Sequence, residues 1–328
     1  MSSIMLISSH VDDQNFAEEV ANSSGLPLIS EPNPVKAREK LVGLVKPVLF
    51  VDVSSDEMFN EFVLAFKPII GEGPGQISSN LVHFISPETL EKASTRAETN
   101  MFGHLIMRKY GDPREAGRHY GRIVKGVCLN QDFGLQNLIS SEASIRIVKL
   151  GHSSDKSRVM TSISEYLSTE TSFKDRAAQI VITAVDELLM NAIYDAPPDE
   201  AGGQKLQKVS RDTPISLGGK RAVELQMGYD GEYVAFTVID RFGSINKSKV
   251  LKHLFRNFAE TDYQVDPNVA GAGIGLATTF RTGGSLLFIK DPGQRTEVTV
   301  FFKQTNNYRE FRNQFRFVSI HVANEEKN

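Results

Sequence analysis

The chain has 328 residues, enough for two domains with their own cores, and its 40% hydrophobic and 23% charged residues are ordinary for a soluble protein. A net charge of −3 gives no overall attraction to nucleic acid or acidic membranes, and the single Cys128 excludes an intramolecular disulfide. No apolar run is long enough to span a membrane, and no charged segment followed by an apolar one opens the chain. We therefore expect a cytoplasmic protein that binds neither nucleic acid nor membrane.

The first part of the chain alternates short apolar runs with helical patterns. The apolar runs, each short enough for a buried strand, are Ile4–Ser8, Leu26–Ile29, Val48–Val53, Val82–Ser86 and Leu105–Met107. Strands that alternate with helices are typical of βαβ units. The pattern therefore predicts an α/β domain over residues 1–125, built as a doubly wound parallel sheet.

Two polar residues close predicted strands in this part of the chain. Asp52 ends the third strand and Ser86 the fourth. The arrangement resembles the receiver domain of two-component systems, which carries its phospho-acceptor aspartate and a Ser or Thr at these places. Lys109 is a candidate for the lysine that receivers carry on the fifth strand.

The first predicted strand departs from the receiver pattern. Receivers end this strand with an acidic pair that binds magnesium, whereas this chain has Ser8 and Ser9. Asp12 and Asp13 come several residues later and are expected to point elsewhere. Without the acidic pair a divalent ion lacks ligands, so we predict a pseudo-receiver that serves protein contacts. The alternatives, a phosphorylated Asp52 or a strand-end acid that caps a turn, stay open.

Residues 111–140 carry five glycines among basic residues. Glycine disfavours helix, so the composition predicts a broken amphipathic connector, assigned to 126–142, rather than one continuous long helix. Beyond it, a strand, a helix and then a second helix are predicted.

The second of these helices, Phe173 to about Ala196, has an apolar stripe at steps of three and four residues. Thr183, Glu187 and Asn191 lie four residues apart on another face, so their polar ends follow one edge of the helix. A carboxylate one turn before a carboxamide can orient a water and hold a hard cation, because both supply oxygen ligands. Taken alone, this pair is also typical of a solvated helix face.

Two downstream stretches complete a pattern. The residues of Tyr233–Asp240 alternate in the pattern of a strand, and the predicted strand ends at Asp240, with Gly243 three residues later. Further on, the glycines of AGAGIGL open a helical run, and backbone N–H groups at such a start can approach phosphate oxygens. They are Gly271, Gly273 and Gly275.

The order ExxxN on a helix, DxxG after a strand, and GxGxGL resembles the three sequence boxes of the GHKL ATPase superfamily, which includes gyrase, Hsp90, histidine kinases and MutL. The resemblance covers about residues 143–303 and implies an α/β sandwich of the GHKL (Bergerat) type. We assign this domain to residues 143–308 and the rest of the chain, 309–328, to a tail. The layout is closest to the anti-sigma-factor serine kinases, because a strand and a helix, and no coiled coil, precede the Glu187 helix.

The resemblance implies ATP and Mg²⁺ as cofactors. Asp240 would accept a hydrogen bond from the adenine amino group, Asn191 would hold Mg²⁺, and Glu187 would act as general base. The remaining nucleotide-binding residues that it implies are Gly243, Gly271, Gly273, Gly275 and Thr296. Phe242 before Gly243 is a departure, because many relatives carry a glycine two residues after the acid.

The first functional interpretation is an ATP-dependent regulatory kinase that phosphorylates Ser, Thr or His on a separate protein. Its partner would be a sigma-factor regulator or a response-regulator-like protein, and a homodimer is left open. His104, His119 and His152 lie among glycines or turn residues, so none is predicted to be a phospho-acceptor. The alternative is a nucleotide-gated binding module, in which ATP orders residues 244–270 and alters partner affinity with little or no turnover.

Overall fold

The computed structural model describes residues 2–86, 96, 100–129, 133–197, 214–259 and 274–323. The chain is an α/β protein that divides into two compact units. Unit 1 comprises the chain up to Asp132 together with Phe315–His321, and unit 2 comprises Phe133–Gln314 together with Val322 and Ala323.

Unit 1 contains six strands, and four α-helices have both ends within its described residues. The strands are β1 (Ile4–Ile7), β2 (Leu28–Ser30), β3 (Val48–Asp52), β4 (Val82–Ser86), β5 (His104–Met107) and, from the far end of the chain, β11 (Phe317–Val322). The helices are α1 (Val11–Ser24), α2 (Pro34–Lys40), α3 (Asp56–Phe66) and α4 (Pro113–Leu129).

Five strands of unit 1 are parallel and follow the spatial order β2-β1-β3-β4-β5, and β11 pairs antiparallel with β5. Strands β1, β3, β4 and β5 are buried along their whole length, as continuous apolar runs predict. The tail over residues 309–328 is apolar enough in sequence to pack against the fold, but the sequence does not indicate where. In the structure a strand from this tail extends the sheet of unit 1.

The prediction of a broken connector over residues 111–140 is wrong for its first half, because α4 is a single helix that continues through its glycines. A Cβ at Gly117 would stand 2.5 Å from the Phe16 carbonyl oxygen, and one at Gly121 would stand 2.6 Å from the Ser23 Cβ. These glycines therefore let α4 lie directly on α1. Their cost in helix propensity is offset by close packing between the two helices, which composition alone does not reveal.

Unit 2 is built from five strands and five α-helices among its described residues. The strands are β6 (Ser144–Leu150), β7 (Val223–Tyr229), β8 (Tyr233–Asp240), β9 (Ser285–Asp291) and β10 (Arg295–Lys303). The helices are α5 (Lys156–Glu170), α6 (Asp175–Met190), α7 (Lys247–Ala259), α8 (Ile274–Arg281) and α9 (Tyr308–Arg312).

The strands of unit 2 are antiparallel in the order β9-β10-β8-β7-β6. Helix α6 packs against β8, β10 and α8, and its predicted apolar stripe is buried. The other face of the sheet is covered by the segment after Phe133: Gly134 N donates to Glu297 Oε2 at 2.7 Å, and Leu135 N donates to Gln226 Oε1 at 3.0 Å. The second half of the predicted connector is thus part of unit 2.

In the described part of the chain, one helical stretch, Asp175–Asp195, has the length and composition to cross a membrane. Of the most apolar 18 residues of this stretch, 56% are buried inside the fold. A helix that packs on a sheet in this way is the central helix of a globular unit, so its hydropathy follows from its place in the core. The cytoplasmic location stays a prediction.

Candidate functional site

Asp240 and Thr296 lie side by side in unit 2. Asp240 is the last residue of β8, and the antiparallel register pairs it with Thr296 of β10. Both are buried, at 5% and 2% exposure. Because successive residues of a strand point to opposite faces, Thr296 lies on the face opposite to Glu297, whose carboxylate binds the segment after Phe133. The two residues therefore face the helical layer.

The Asp240 carboxyl group is desolvated. Burial raises its pKa from 3.8 to about 6, although hydrogen bonds from the backbone of Phe242 and Gly243 oppose the rise. One oxygen, Oδ1, accepts from Phe242 N at 2.8 Å. A buried acceptor of this kind discriminates between ligands, because a ligand without a matching donor leaves it unpaired.

The loop after Asp240 is fixed at three points. Gly243 has φ +57°, and a Cβ there would stand 2.0 Å from the Asp291 carbonyl oxygen in the β9–β10 turn. Ser244 Oγ donates to the Ala196 carbonyl at 2.6 Å, and Lys290 Nζ donates to the Ile245 carbonyl at 2.9 Å. The approach of the hairpin by itself requires glycine at 243. A nucleotide contact there stays a prediction.

Glu187 and Gly275 are brought into contact by α6 and α8. A Cβ at Gly275, in the first turn of α8, would stand 2.2 Å from the Glu187 carboxyl carbon and 2.5 Å from Oε2. The carboxylate therefore lies against backbone at the start of α8, where the N–H groups and the helix dipole favour negative charge. This contact joins two of the three sequence boxes.

Asn191 begins a single π-helical segment, Asn191–Asp195, that continues α6. Its backbone N–H bonds the carbonyls of Glu187 and Leu188, and its own carbonyl accepts from Ala196 N at 2.9 Å. The side chain is half-buried one turn after Glu187, and β8 packs against this segment. π-Helical turns are uncommon and occur often at functional sites. The sequence pattern predicted the helix but not this turn.

Parts of the predicted site lie outside the described residues. Gly271 and Gly273 are among them, as are residues 260–270 of the segment 244–270 that ATP is predicted to order. The described part of this segment contains helix α7, in which Val250, Leu251 and Leu254 are buried. All the described residues of the predicted site belong to unit 2. They lie on α6, on the π-helical segment after it, at the start of α8, at the end of β8 and in the loop after it, and at the start of β10: Glu187, Asn191, Gly275, Asp240, Gly243 and Thr296.

A second cluster of polar side chains lies at the carboxyl ends of the strands in unit 1. Asp52 and Ser86 end β3 and β4, as predicted. The expectation that Asp13 points elsewhere is wrong: Asp13 is fully buried and accepts from Ser8 Oγ at 2.6 Å. Strand β1 ends at Ile7 and α1 begins at Val11, so the first turn of α1 returns Asp13 over the strand ends.

The fifth-strand position in this cluster also differs from the prediction. Arg108, directly after β5, contacts Asp52, whereas the sequence suggested Lys109. Alternation along β5 explains the one-residue difference, because neighbouring residues point to opposite faces of a sheet. The register could not be read from a four-residue apolar run.

Comparisons with known proteins leave the family unassigned. The chain matches no family model, and no curated protein matches it.

Proposed function

We propose that unit 2 is a GHKL-type domain that binds ATP with Mg²⁺, and that the protein is a cytoplasmic regulatory kinase with a pseudo-receiver as unit 1. The observation that carries the proposal is the buried Asp240 carboxyl group beside Thr296 at the end of β8. A desolvated acceptor at this point favours a ligand that donates a hydrogen bond, as the adenine amino group does.

The other residues of the site fit the phosphate end of the same ligand. The Asn191 carboxamide supplies an oxygen ligand of the kind that Mg²⁺ prefers, and Glu187 lies one turn before it in the same helical stretch. When bound, Mg²⁺ would neutralise charge on the phosphates. Glu187 would take a proton from water or a protein hydroxyl, and the backbone at Gly275 would lie within reach of the phosphates.

The substrate of the kinase would be a separate protein, of the kind that anti-sigma-factor kinases or histidine kinases act on. Two of the chain's histidines, His104 and His119, are buried at 0% and 1% exposure, so they do not offer a phospho-acceptor without unfolding. In the alternative proposal, ATP orders residues 244–270 and alters partner affinity with little or no turnover, so Glu187 does no chemistry.

Calorimetric titration of the full chain with ATP, ADP and GTP in the presence of Mg²⁺ tests the nucleotide site. We expect ATP or ADP to bind and GTP to bind at least tenfold more weakly. Asp240→Asn should reduce this preference, whereas Asp175→Asn, an exposed carboxylate at the start of α6, should leave it unchanged. The proposal is wrong if a folded preparation binds neither ATP nor ADP.

A further inference from the structure

The polar cluster of unit 1 is organised around one arginine. Arg108 Nε donates to Asp13 Oδ1 at 2.9 Å, and Nη2 donates to Asp13 Oδ2 at 2.8 Å. The same Nη2 lies 2.6 Å from Asp52 Oδ1. The guanidinium group therefore bridges two carboxylates from different elements, one from α1 and one from the end of β3. We call these three residues the Arg108 bridge.

The oxygens of Asp13 have further donors. Tyr110 Oη donates to Oδ1 at 2.8 Å and Ser8 Oγ donates to Oδ2 at 2.6 Å, in addition to the two bonds from Arg108. Each oxygen thus accepts two hydrogen bonds, which uses the capacity of a buried carboxylate. Asp13 is fully buried, so water does not compete for these positions.

The oxygens of Asp52 are also engaged. Oδ1 accepts from Ser54 N at 2.9 Å and faces Arg108, while Oδ2 lies 3.4 Å from His10 Nε2. Burial by itself would lower the pKa of the Arg108 guanidinium, but the hydrogen bonds and charges of Asp13 and Asp52 raise it. The arginine is therefore a permanent cation in this cluster.

A divalent ion does not fit these residues. Mg²⁺ needs oxygen ligands with free lone pairs in near-octahedral array, and it would have to take the positions that Arg108 occupies between Asp13 and Asp52. Among the described residues, no group of three or more His, Cys, Asp or Glu side chains is arranged to hold a metal. These residues therefore do not fit the magnesium site that the receiver resemblance would imply.

We propose that the Arg108 guanidinium group takes the place of a divalent ion between Asp13 and Asp52. Unit 1 then keeps these two carboxylates in position without a metal. Because no metal can bind there, Asp52 does not accept a phosphoryl group. Asp13 and Asp52 can therefore bind a metal ion only when the Arg108 side chain is removed, and we call this pair the latent cation site. This inference concerns unit 1 alone and does not depend on nucleotide binding by unit 2.

The test counts bound Mn²⁺ on the full chain, without nucleotide, by electron paramagnetic resonance. Wild type and Arg118→Ala, which removes an exposed arginine of α4, should bind no Mn²⁺ at millimolar concentrations. Arg108→Ala should gain one ion per chain, and Arg108→Ala combined with Asp52→Asn should lose it again. Mg²⁺ should also raise the melting temperature of Arg108→Ala and leave that of wild type unchanged.

The wild-type protein supplies a second test that does not require the variant to fold. Treatment with acetyl phosphate and Mg²⁺ should leave Asp52 unmodified in mass spectra. An acid-labile phosphate on Asp52 would overturn the inference, as would a Mn²⁺ site in wild type that Asp52→Asn removes. A folded Arg108→Ala variant that gains no Mn²⁺ would also refute the latent site.

Discussion

Gly275 and Glu187 are in direct contact: a methyl group at Gly275 would overlap the Glu187 carboxyl group at 2.2 Å. The two residues come from helices that are distant in sequence, and the first turn of α8 meets the polar edge of α6 only because residue 275 has no side chain. The contact gives this glycine a structural role in addition to the phosphate contact proposed for it.

Gly275→Ala should therefore disturb the site more than the fold. The added methyl must displace the Glu187 carboxylate or separate α8 from α6, and either change should cost about 1–3 kcal/mol of unfolding free energy. Urea unfolding measures this cost, and ATP titration measures the loss of affinity.

Gly218→Ala is the matched control in the same unit. A Cβ at Gly218 would lie 4.0 Å from Ser216 Oγ, an ordinary contact distance, and the φ of −83° suits alanine. If the two substitutions changed stability and ATP affinity equally, the contact between Gly275 and Glu187 would contribute to neither.

Asp240 should make stability depend on pH in a recognisable direction. Its pKa is raised from 3.8 to about 6 by burial, so the folded state holds the proton more tightly than the unfolded state. The stabilisation by protonation is complete below about pH 4 and is lost as pH rises through about 6. A shift of this size corresponds to at most about 3 kcal/mol.

Asp240→Asn removes this titration, so the variant should be more stable than wild type at pH 8 by about 1–3 kcal/mol and lack the decline between pH 4 and 6. Urea denaturation at a series of pH values measures both effects. Asp175→Asn, an exposed carboxylate, serves as the control. If Asp240→Asn and wild type have parallel stability curves, the carboxyl group is not desolvated as the structure indicates.

The glycines of α4 should tolerate substitution badly. Gly121→Ala places a methyl group 2.6 Å from Ser23 Cβ and 3.1 Å from the Val20 carbonyl, so α4 must move away from α1. Although alanine favours helix, we expect a net loss of about 1–3 kcal/mol in unfolding free energy. Arg118→Ala on the exposed side of the same helix should change stability by less than about 0.5 kcal/mol. A more stable Gly121→Ala protein would contradict the close packing.

The sequence predicted most strands and the polar edge of α6, because these depend on local periodicity. Val48–Val53 and Tyr233–Asp240 match β3 and β8 within one residue. Helix α4 was mispredicted because glycine lowers local helix propensity, whereas its packing against α1 is a tertiary effect. Asp13 and Arg108 were missed for a related reason: their meeting depends on the turn before α1 and on the register of β5.

Glu187 and Asn191 distinguish a kinase from a nucleotide-gated binding module. A general base matters only where chemistry occurs, whereas a Mg²⁺ ligand matters for nucleotide affinity as well. Glu187→Gln preserves the shape of the side chain, so it should spare ATP affinity while lowering turnover by roughly 100-fold or more if the protein is a kinase or ATPase. Asn191→Ala should weaken Mg²⁺–ATP binding itself.

These two variants are compared with Glu165→Gln, which alters an exposed carboxylate on α5 and should change neither affinity nor turnover. Titration calorimetry gives the affinity, and release or transfer of labelled phosphate, with and without cell lysate, gives the turnover. If the protein is a kinase, Glu187→Gln should lower the turnover and leave the affinity for ATP unchanged. If wild type shows no turnover and Glu187→Gln keeps every nucleotide-dependent partner interaction, Glu187 performs no chemistry, and the gated binding module is the correct function.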